Sequence, residues 1–304
     1  MPEPALTGSV SASPGAGVLG RIGSLRLARW LLAALGAAVL AAHAGLVPFD
    51  HALVGPLGLL VLNLGAALVT QPALRRQAAL LAFHLGLIAV MVLVVTGRLT
   101  YLAGRIEVTS GTAFDGALID GERGWLHRQQ LHRAVFVNDG FEIDYAAGLK
   151  RGATRNRVRW TDADGRELST VIGDHRPLVR AGYRFYTTPN KGFAPVFVWT
   201  PAAGARAERG AVHLPSYPVH ADEQAHRWRA SPGAPEIWVM LKIDEVLIDP
   251  ERAARFRLPQ EQSLIVRVAD ARHTLRPGEQ LALPQGTLVY QELRTWMGYR
   301  VRYD

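Results

Sequence analysis

Apolar positions run together in the first hundred residues and alternate with polar ones beyond, and that change of pattern divides the chain. Trp30 to Val47, His51 to Val69 and Ala78 to Gly97 are nearly continuous apolar runs. About twenty such residues at about 1.5 Å each match a hydrocarbon core of about 30 Å, so each run predicts a membrane-spanning helix. PFD joins the first two spans as a tight helical hairpin, and TQPALRRQ joins the second to the third. Pro56 and Asn63 in the second span are tolerable where neighbouring helices satisfy the backbone. A signal peptide is the alternative for the first span, because Arg21, Arg26 and Arg29 resemble an n-region and Ala42 to Ala44 a small-residue cleavage site. Its length, and the two spans that follow at once, favour a retained anchor.

Ahead of the spans, residues 1–24 are small and rich in Pro, Gly and Ser, a composition that predicts a disordered lead-in. The three-helix region is then 25–98. From residue 99 the pattern turns to short β-branched and aromatic runs between turn signals, among them VFVNDGFEIDY from Val135, GYRFYTT from Gly182, EIWVMLKIDEVLI from Glu236, SLIVRVAD from Ser263 and GYRVRYD from Gly298. Alternation in FEIDY and RVRW predicts half-buried strands, and DADG at Asp162 to Gly165 a hairpin turn. Residues 202–235 are loop-like and predict a linker between a first β part, 99–201, and a second, 236–304. DPERAARF at Asp249 to Phe256 predicts a helix, with Asp249 as N-cap and Pro250 at the first helical position. The expected fold is a membrane protein of three N-terminal transmembrane α-helices followed by a mostly antiparallel β extracytoplasmic domain, a sandwich or an open barrel.

Charge sets the orientation. The 304 residues carry a formal net charge of +8, yet six of the 34 Lys and Arg flank the spans and residues 99–304 hold 28 basic against 24 acidic side chains. No dense basic block remains, which argues against nucleic acid as a partner. Arg21, Arg26 and Arg29 precede the first span, Asp50 lies in the first turn, and Arg75 and Arg76 fill the second. Positive residues stay cytoplasmic, so the amino terminus is placed inside and everything after Gly97 outside. With no cysteine, disulfides and thiolate chemistry are excluded for this chain alone.

Standard enzyme signatures are missing: there is no G-x-S-x-G elbow, Walker loop, H-E-x-x-H or dinucleotide fingerprint. His213, His220 and His226 could gather a metal, although exposed loop histidines are the simpler account. Asp162, Asp164 and Asp174 sit in turn-like sequence where Asp has local uses. The candidate that stands out is His84, an ionisable side chain inside the third span. It is either interhelical glue, bonded to Asn63 or to a backbone carbonyl, or an axial ligand of haem iron. Counted from the cytoplasmic face, His84 lies about 9 Å deep and His43 about 20 Å deep, at about 1.5 Å per residue. That difference in depth argues against the two sharing one iron, so a second ligand to haem at His84 is expected from another subunit. His43, the weaker candidate, and His51 read as interfacial.

FHLGLIAVMVLVVTGRLTYLAGRIEVTSGTAF from Phe83, VFVNDGFEIDY, TVIGDHRPLVRAGYRFYTTPNKG from Thr170 to Gly192, and LRTWMGYRVRYD at the end carry a resemblance. From about Leu27 onward the chain resembles the ResB/CcsB family of system II cytochrome c biogenesis proteins. The resemblance implies an accessory subunit, probably not catalytic alone, of a haem-delivery and cytochrome c synthase complex in the bacterial inner membrane, with a periplasmic β domain. It implies a ResC/CcsA-type membrane partner, apocytochrome c, and transient haem b with His84 in the position of the family's transmembrane histidine. The family usually adds a membrane helix after the β domain where this chain reaches Asp304, which implies a three-helix variant or a longer chain. The competing expectation is a membrane-anchored β-sandwich scaffold or binding module without haem.

Overall fold

Residues that are apolar on every side form helices whose exposed faces are as apolar as their packed ones. In the computed structural model, which describes residues 14–202, 204 and 206–304, five helices precede the strands: α1 Pro14–Ile22, α2 Leu25–His43, α3 Phe49–Thr70, α4 Pro72–Arg76 and α5 Ala78–Thr100. α2, α3 and α5 are long and apolar enough to cross a membrane. Their outward side chains, such as Trp30, Leu40, Phe83 and Leu93, are exposed to the surroundings. A helix with such a surface is at home in lipid. α3 packs against α1, α2 and α5. The disorder expected over 1–24 is corrected from Pro14 onward by α1; residues 1–13 lie outside the described residues.

Two compact units result. One holds the helices up to Tyr101 together with a strap, Arg123–Arg128, and the other holds Leu102–Glu122 and Gln129–Tyr303. The strands of the second unit, in chain order, begin with β1 Leu102–Thr109, β2 Thr112–Ala113, β3 Asp120–Arg123, β4 Val137–Glu142, β5 Asp144–Ala146 and β6 Lys150–Arg151. Next come β7 Arg155–Thr161, β8 Glu167–Ile172, β9 Leu178–Arg180, β10 Tyr183–Pro201, β11 Glu208–Ala211 and β12 Ala225–Trp228. β13 Ile237–Ile243, β14 Ala254–Arg255, β15 Gln262–Val268, β16 Ala271–Leu275, β17 Gln280–Leu283 and β18 Gly286–Tyr303 complete the order.

Pairing is antiparallel, and the sheets are open rather than closed into a barrel. The spine is the pair of long strands β10 and β18, with β11 outside β10, and β1 then β3 outside β18. One half of this ribbon, carrying Phe185, Met297, Tyr299 and Val301, packs with β1 over Phe136, Val158 and Ile172 of the segment from β4 to β8. The other half, carrying Phe193, Phe197, Leu288 and Tyr290, packs over Ile237, Val239, Leu264 and Val266 of the sheet β12-β13-β15-β16. Two register shifts interrupt the ribbon. Between Thr187 and Lys191 β10 carries two residues more than β18, which bends the ribbon without flipping its alternation, and between Val196 and Phe197 β18 carries one more, Gln291, which resets that strand's alternation so that Leu288, Tyr290 and Leu293 face the same core.

Three expectations are corrected here. The segment 202–235 is more than a linker: it contains β11 and β12, and the backbone N–H groups of Val212, Leu214 and Tyr217 donate to Pro195, Phe193 and Lys191 along the edge of β10. The parts 99–201 and 236–304 are interleaved, because β18 lies between β10 and β1. DPERAARF forms a turn and then β14 instead of a helix, since the Asp249 carboxylate accepts from the Glu251 N–H and closes a local turn. The DADG turn forms as expected between β7 and β8, with the Asp162 carboxylate accepting from Asp164 and Arg166.

A polar chain runs through the core under β1. The Tyr299 hydroxyl donates to Asn156 Oδ1 at 2.8 Å, Asn156 Nδ2 donates to Asn138 Oδ1 at 2.8 Å, and Asn138 Nδ2 donates to the Val108 carbonyl at 2.8 Å. All three side chains are buried. Deleting the middle member strands the Tyr299 hydroxyl and takes the side-chain donor from the Asn138 and Gly140 oxygens, of which Asn138 Oδ1 keeps the Gly140 N–H, whereas deleting the terminal hydroxyl removes one bond. We expect Asn156→Ala to lower stability by about 3 kcal/mol and Tyr299→Phe by about 1 kcal/mol, read from denaturant unfolding of the detergent-solubilised chain. Equal losses would contradict the network.

Candidate functional site

The helical unit is built around a break. α1 stops at Ile22 and α2 starts at Leu25, so the carbonyls between them need partners from elsewhere. α3 supplies them: Asn63 Nδ2 donates to the carbonyls of Ile22 and Ser24, and Gln71 Nε2 donates to Gly23 at 2.9 Å. The approach is close enough that a Cβ on Gly23 would lie 2.6 Å from the Ala67 nitrogen. Asn63 is therefore committed to these carbonyls, and of the two partners considered for His84 it is a backbone carbonyl that is bonded.

His84 bonds within its own helix. Its Nδ1 lies 2.7 Å from the Leu80 carbonyl, and since a carbonyl only accepts, Nδ1 carries the proton. The lone pair is then on Nε2, the tautomer that metal-ligating imidazoles take when the other nitrogen donates to a backbone carbonyl. The ring meets Phe83 edge-on at 5.4 Å. Leu81, His84, Ile88, Met91 and Val95 form the less exposed stripe of α5, and α5 packs on α3. His43 is the exposed last residue of α2. α2 leads into the start of α3 and α5 leaves from its end; counted from the helix starts at Leu25 and Ala78, His43 lies about 27 Å and His84 about 9 Å along the bundle at about 1.5 Å per residue, so they are about 18 Å apart, more than the roughly 11 Å expected with the first span counted from Trp30. The His51 side chain lies outside the described residues.

One turn along α5 from His84, Ile88 joins Leu19, Leu31, Leu62 and Val69 around an apolar groove of 680 Å³. Gly65 opens onto it with nothing within 4 Å of where its Cβ would be. His84 itself is outside the lining. Tested against haem, these residues fit in two respects: an imidazole whose Nδ1 is bonded to Leu80 and whose Nε2 is left to act as a ligand, and an apolar wall of the kind a porphyrin face requires.

The other histidines do not converge, and among the described residues no three His, Asp or Glu side chains are placed to hold a metal ion. His220 is 4.0 Å from Glu223, and His226 on β12 bonds the Arg227 carbonyl. His213 is no exposed loop residue. Its Nδ1 is 2.8 Å from Glu107 Oε2, its Nε2 is 2.8 Å from Thr109 Oγ1, and the ring stacks on Trp296 at 5.2 Å. A carboxylate, imidazole and hydroxyl in series is the arrangement that activates a nucleophile. Here Thr109 is only 5% exposed, which keeps substrates away, and the chain braces β1 against the segment beside β10.

Lys191 was also hidden from the pattern. It follows the first bulge of β10, is 1% exposed, and donates from Nζ to the Pro189 carbonyl at 3.1 Å. Burial, reinforced by the Arg151 guanidinium and opposed by Asp174, pulls its ammonium down to about 8. No motif marks it, because its setting is made by the bulge.

No protein-family model matches the chain, and no curated protein matches its sequence.

Two measurements follow. Asn63→Leu leaves the Ile22 and Ser24 carbonyls unpaired, and we expect a loss of about 1–3 kcal/mol in the stability of the detergent-solubilised chain. An unchanged melting curve would show that the break is held by packing alone. A lysine depressed in the folded state binds fewer protons than the unfolded chain between about 8 and the ordinary value of 10.5, so folding gains stability as pH rises through that interval. The melting temperature should climb between about pH 7.5 and 9.5 relative to Lys191→Met, with the variant more stable at the lower pH. Parallel profiles would place that ammonium in water.

Proposed function

We propose that this chain is the accessory subunit of a haem-delivery and cytochrome c synthase complex in the bacterial inner membrane. His84 Nε2 would be this chain's ligand to haem b, and a ResC/CcsA-type partner would share in holding it. The observation that carries the reading is the His84 tautomer: a ring locked by the Leu80 carbonyl with its lone pair on Nε2, beside an apolar groove. An imidazole serving only as glue between helices would spend a nitrogen on a neighbouring helix, and the bond His84 makes is to its own.

The resemblance supports the remaining parts. Arg21, Arg26 and Arg29 ahead of α2, and Arg75 and Arg76 in α4, favour a cytoplasmic amino terminus and a periplasmic β domain. When bound, haem supplies the iron and porphyrin to be attached to apocytochrome c. This chain's own part is to fix an imidazole within the bilayer and to present its β unit to the apocytochrome or the partner's haem site.

Co-purified with its ResC-like partner, the chain should show a Soret band that weakens in His84→Ala and returns with added imidazole. A spectrum indifferent to the substitution would leave the membrane-anchored scaffold, with His84 satisfied by Leu80, as the reading that stands.

A further inference from the structure

The last turn of α5 is closed by the strap from Arg123 to Arg128. Gly124 N–H donates to the Tyr101 carbonyl at 3.0 Å, Leu126 N–H donates to Leu99 at 2.8 Å, and His127 Nδ1 lies 2.8 Å from the Thr100 carbonyl. Three orphan carbonyls of the helix end thereby find donors. Gly124 is required there, because a Cβ would land on the carbonyl oxygens of Arg98 and Leu99. With Gly124 and His127 turned inward, the residues between them face out: Trp125 is 74% exposed and Leu126 63% exposed.

These bonds fix the depth of the strap. α5 is long and apolar enough to cross a membrane, so a segment tied to its final carbonyls lies where the hydrocarbon gives way to headgroups. A large exposed apolar pair would be costly in water and is favoured at that boundary. The surroundings match a phospholipid headgroup. Arg98, Tyr101, Arg123 and Trp125 line a small pocket floored by Val54 and Leu99, and the Arg98 guanidinium lies 6.0 Å from the Tyr101 ring centroid. Two guanidiniums suit a phosphodiester, a phenol and an indole suit the glycerol level, and two aliphatic side chains suit the start of an acyl chain.

We propose that the strap is a lipid-binding interfacial anchor. Trp125 and Leu126 enter the headgroup–acyl boundary of the leaflet where α5 ends, and Arg98 and Arg123 hold the phosphate of a membrane phospholipid. The strap bonds keep helix end and lipid site together as one structure. This assignment uses α5 as a membrane span and is independent of haem.

The chain has no cysteine, so Leu126→Cys takes a single environment-sensitive fluorophore in the full-length protein. Reconstituted in phosphatidylcholine vesicles, that probe should be quenched several-fold more by lipids spin-labelled near the glycerol than by aqueous iodide. A probe at Val219→Cys, a 75% exposed position of the β unit, should show the reverse. Equal iodide quenching at the two positions would overturn the anchor. For the phosphate, phosphatidylglycerol should raise the melting temperature of the detergent-solubilised wild type, and inorganic phosphate at the same concentration should not. Arg123→Gln should keep the lipid-free melting temperature and lose most of the lipid-induced rise; an undiminished rise in the variant, or an equal rise with inorganic phosphate, would refute a lipid site.

Discussion

A backbone carbonyl in hydrocarbon must be bonded by the protein itself, because no water is present to do it. That constraint accounts for most of the specific features of the helical unit. The break at Ile22 to Ser24 is satisfied because Asn63 on α3 and Gln71 at its C-cap reach its carbonyls, and Gly23 lets the two backbones approach closely enough. The end of α5 is closed by Gly124, Leu126 and His127. His84 uses the same chemistry in the other direction, since binding the Leu80 carbonyl decides which of its nitrogens is left with a lone pair. The polar residues of an otherwise featureless apolar region are thus placed where the helical ladder runs out, or where a side chain must be held in one tautomer.

In the second unit the comparable constraint is that one long ribbon serves two cores. Two extra residues of β10 after Thr187 bend it, and the one extra residue of β18, Gln291, resets that strand's alternation so that Leu288, Tyr290 and Leu293 face the same core. From Lys191 to Phe197 β10 is buried on both faces, and Lys191 becomes a buried cation as a by-product of the geometry. The brace from Glu107 through His213 to Thr109 stands at the same central region, with Trp296 beneath the imidazole.

Much of the layout was legible because it rests on local pattern. The three spans, the DADG hairpin and the alternating strands all have their cause within a few residues. What was not legible depends on distant partners. The composition of 202–235 reads as loop, yet its backbone pairs with β10, and backbone pairing leaves no compositional trace. Asp249 and Pro250 look like a helix start, but the turn closed by the Asp249 side chain competes successfully. His84 was visible from its position alone. Local pattern does not choose its partner between Asn63 and a backbone carbonyl, because the choice depends on Asn63 being drawn to a helix break formed by residues far away in sequence. Glu107, Thr109 and His213 are separated by too much chain for spacing to join them.

The interleaving of β18 also sets an order of events. β1 begins at Leu102 and its neighbour β18 at Gly286, so the central sheet has a high contact order and cannot close while the intervening chain is still being made. At roughly 5–20 residues per second on the ribosome, β1 waits on the order of ten seconds or more for its mate. Throughout that interval the strands flanking the gap offer bare edges to any other nascent polypeptide.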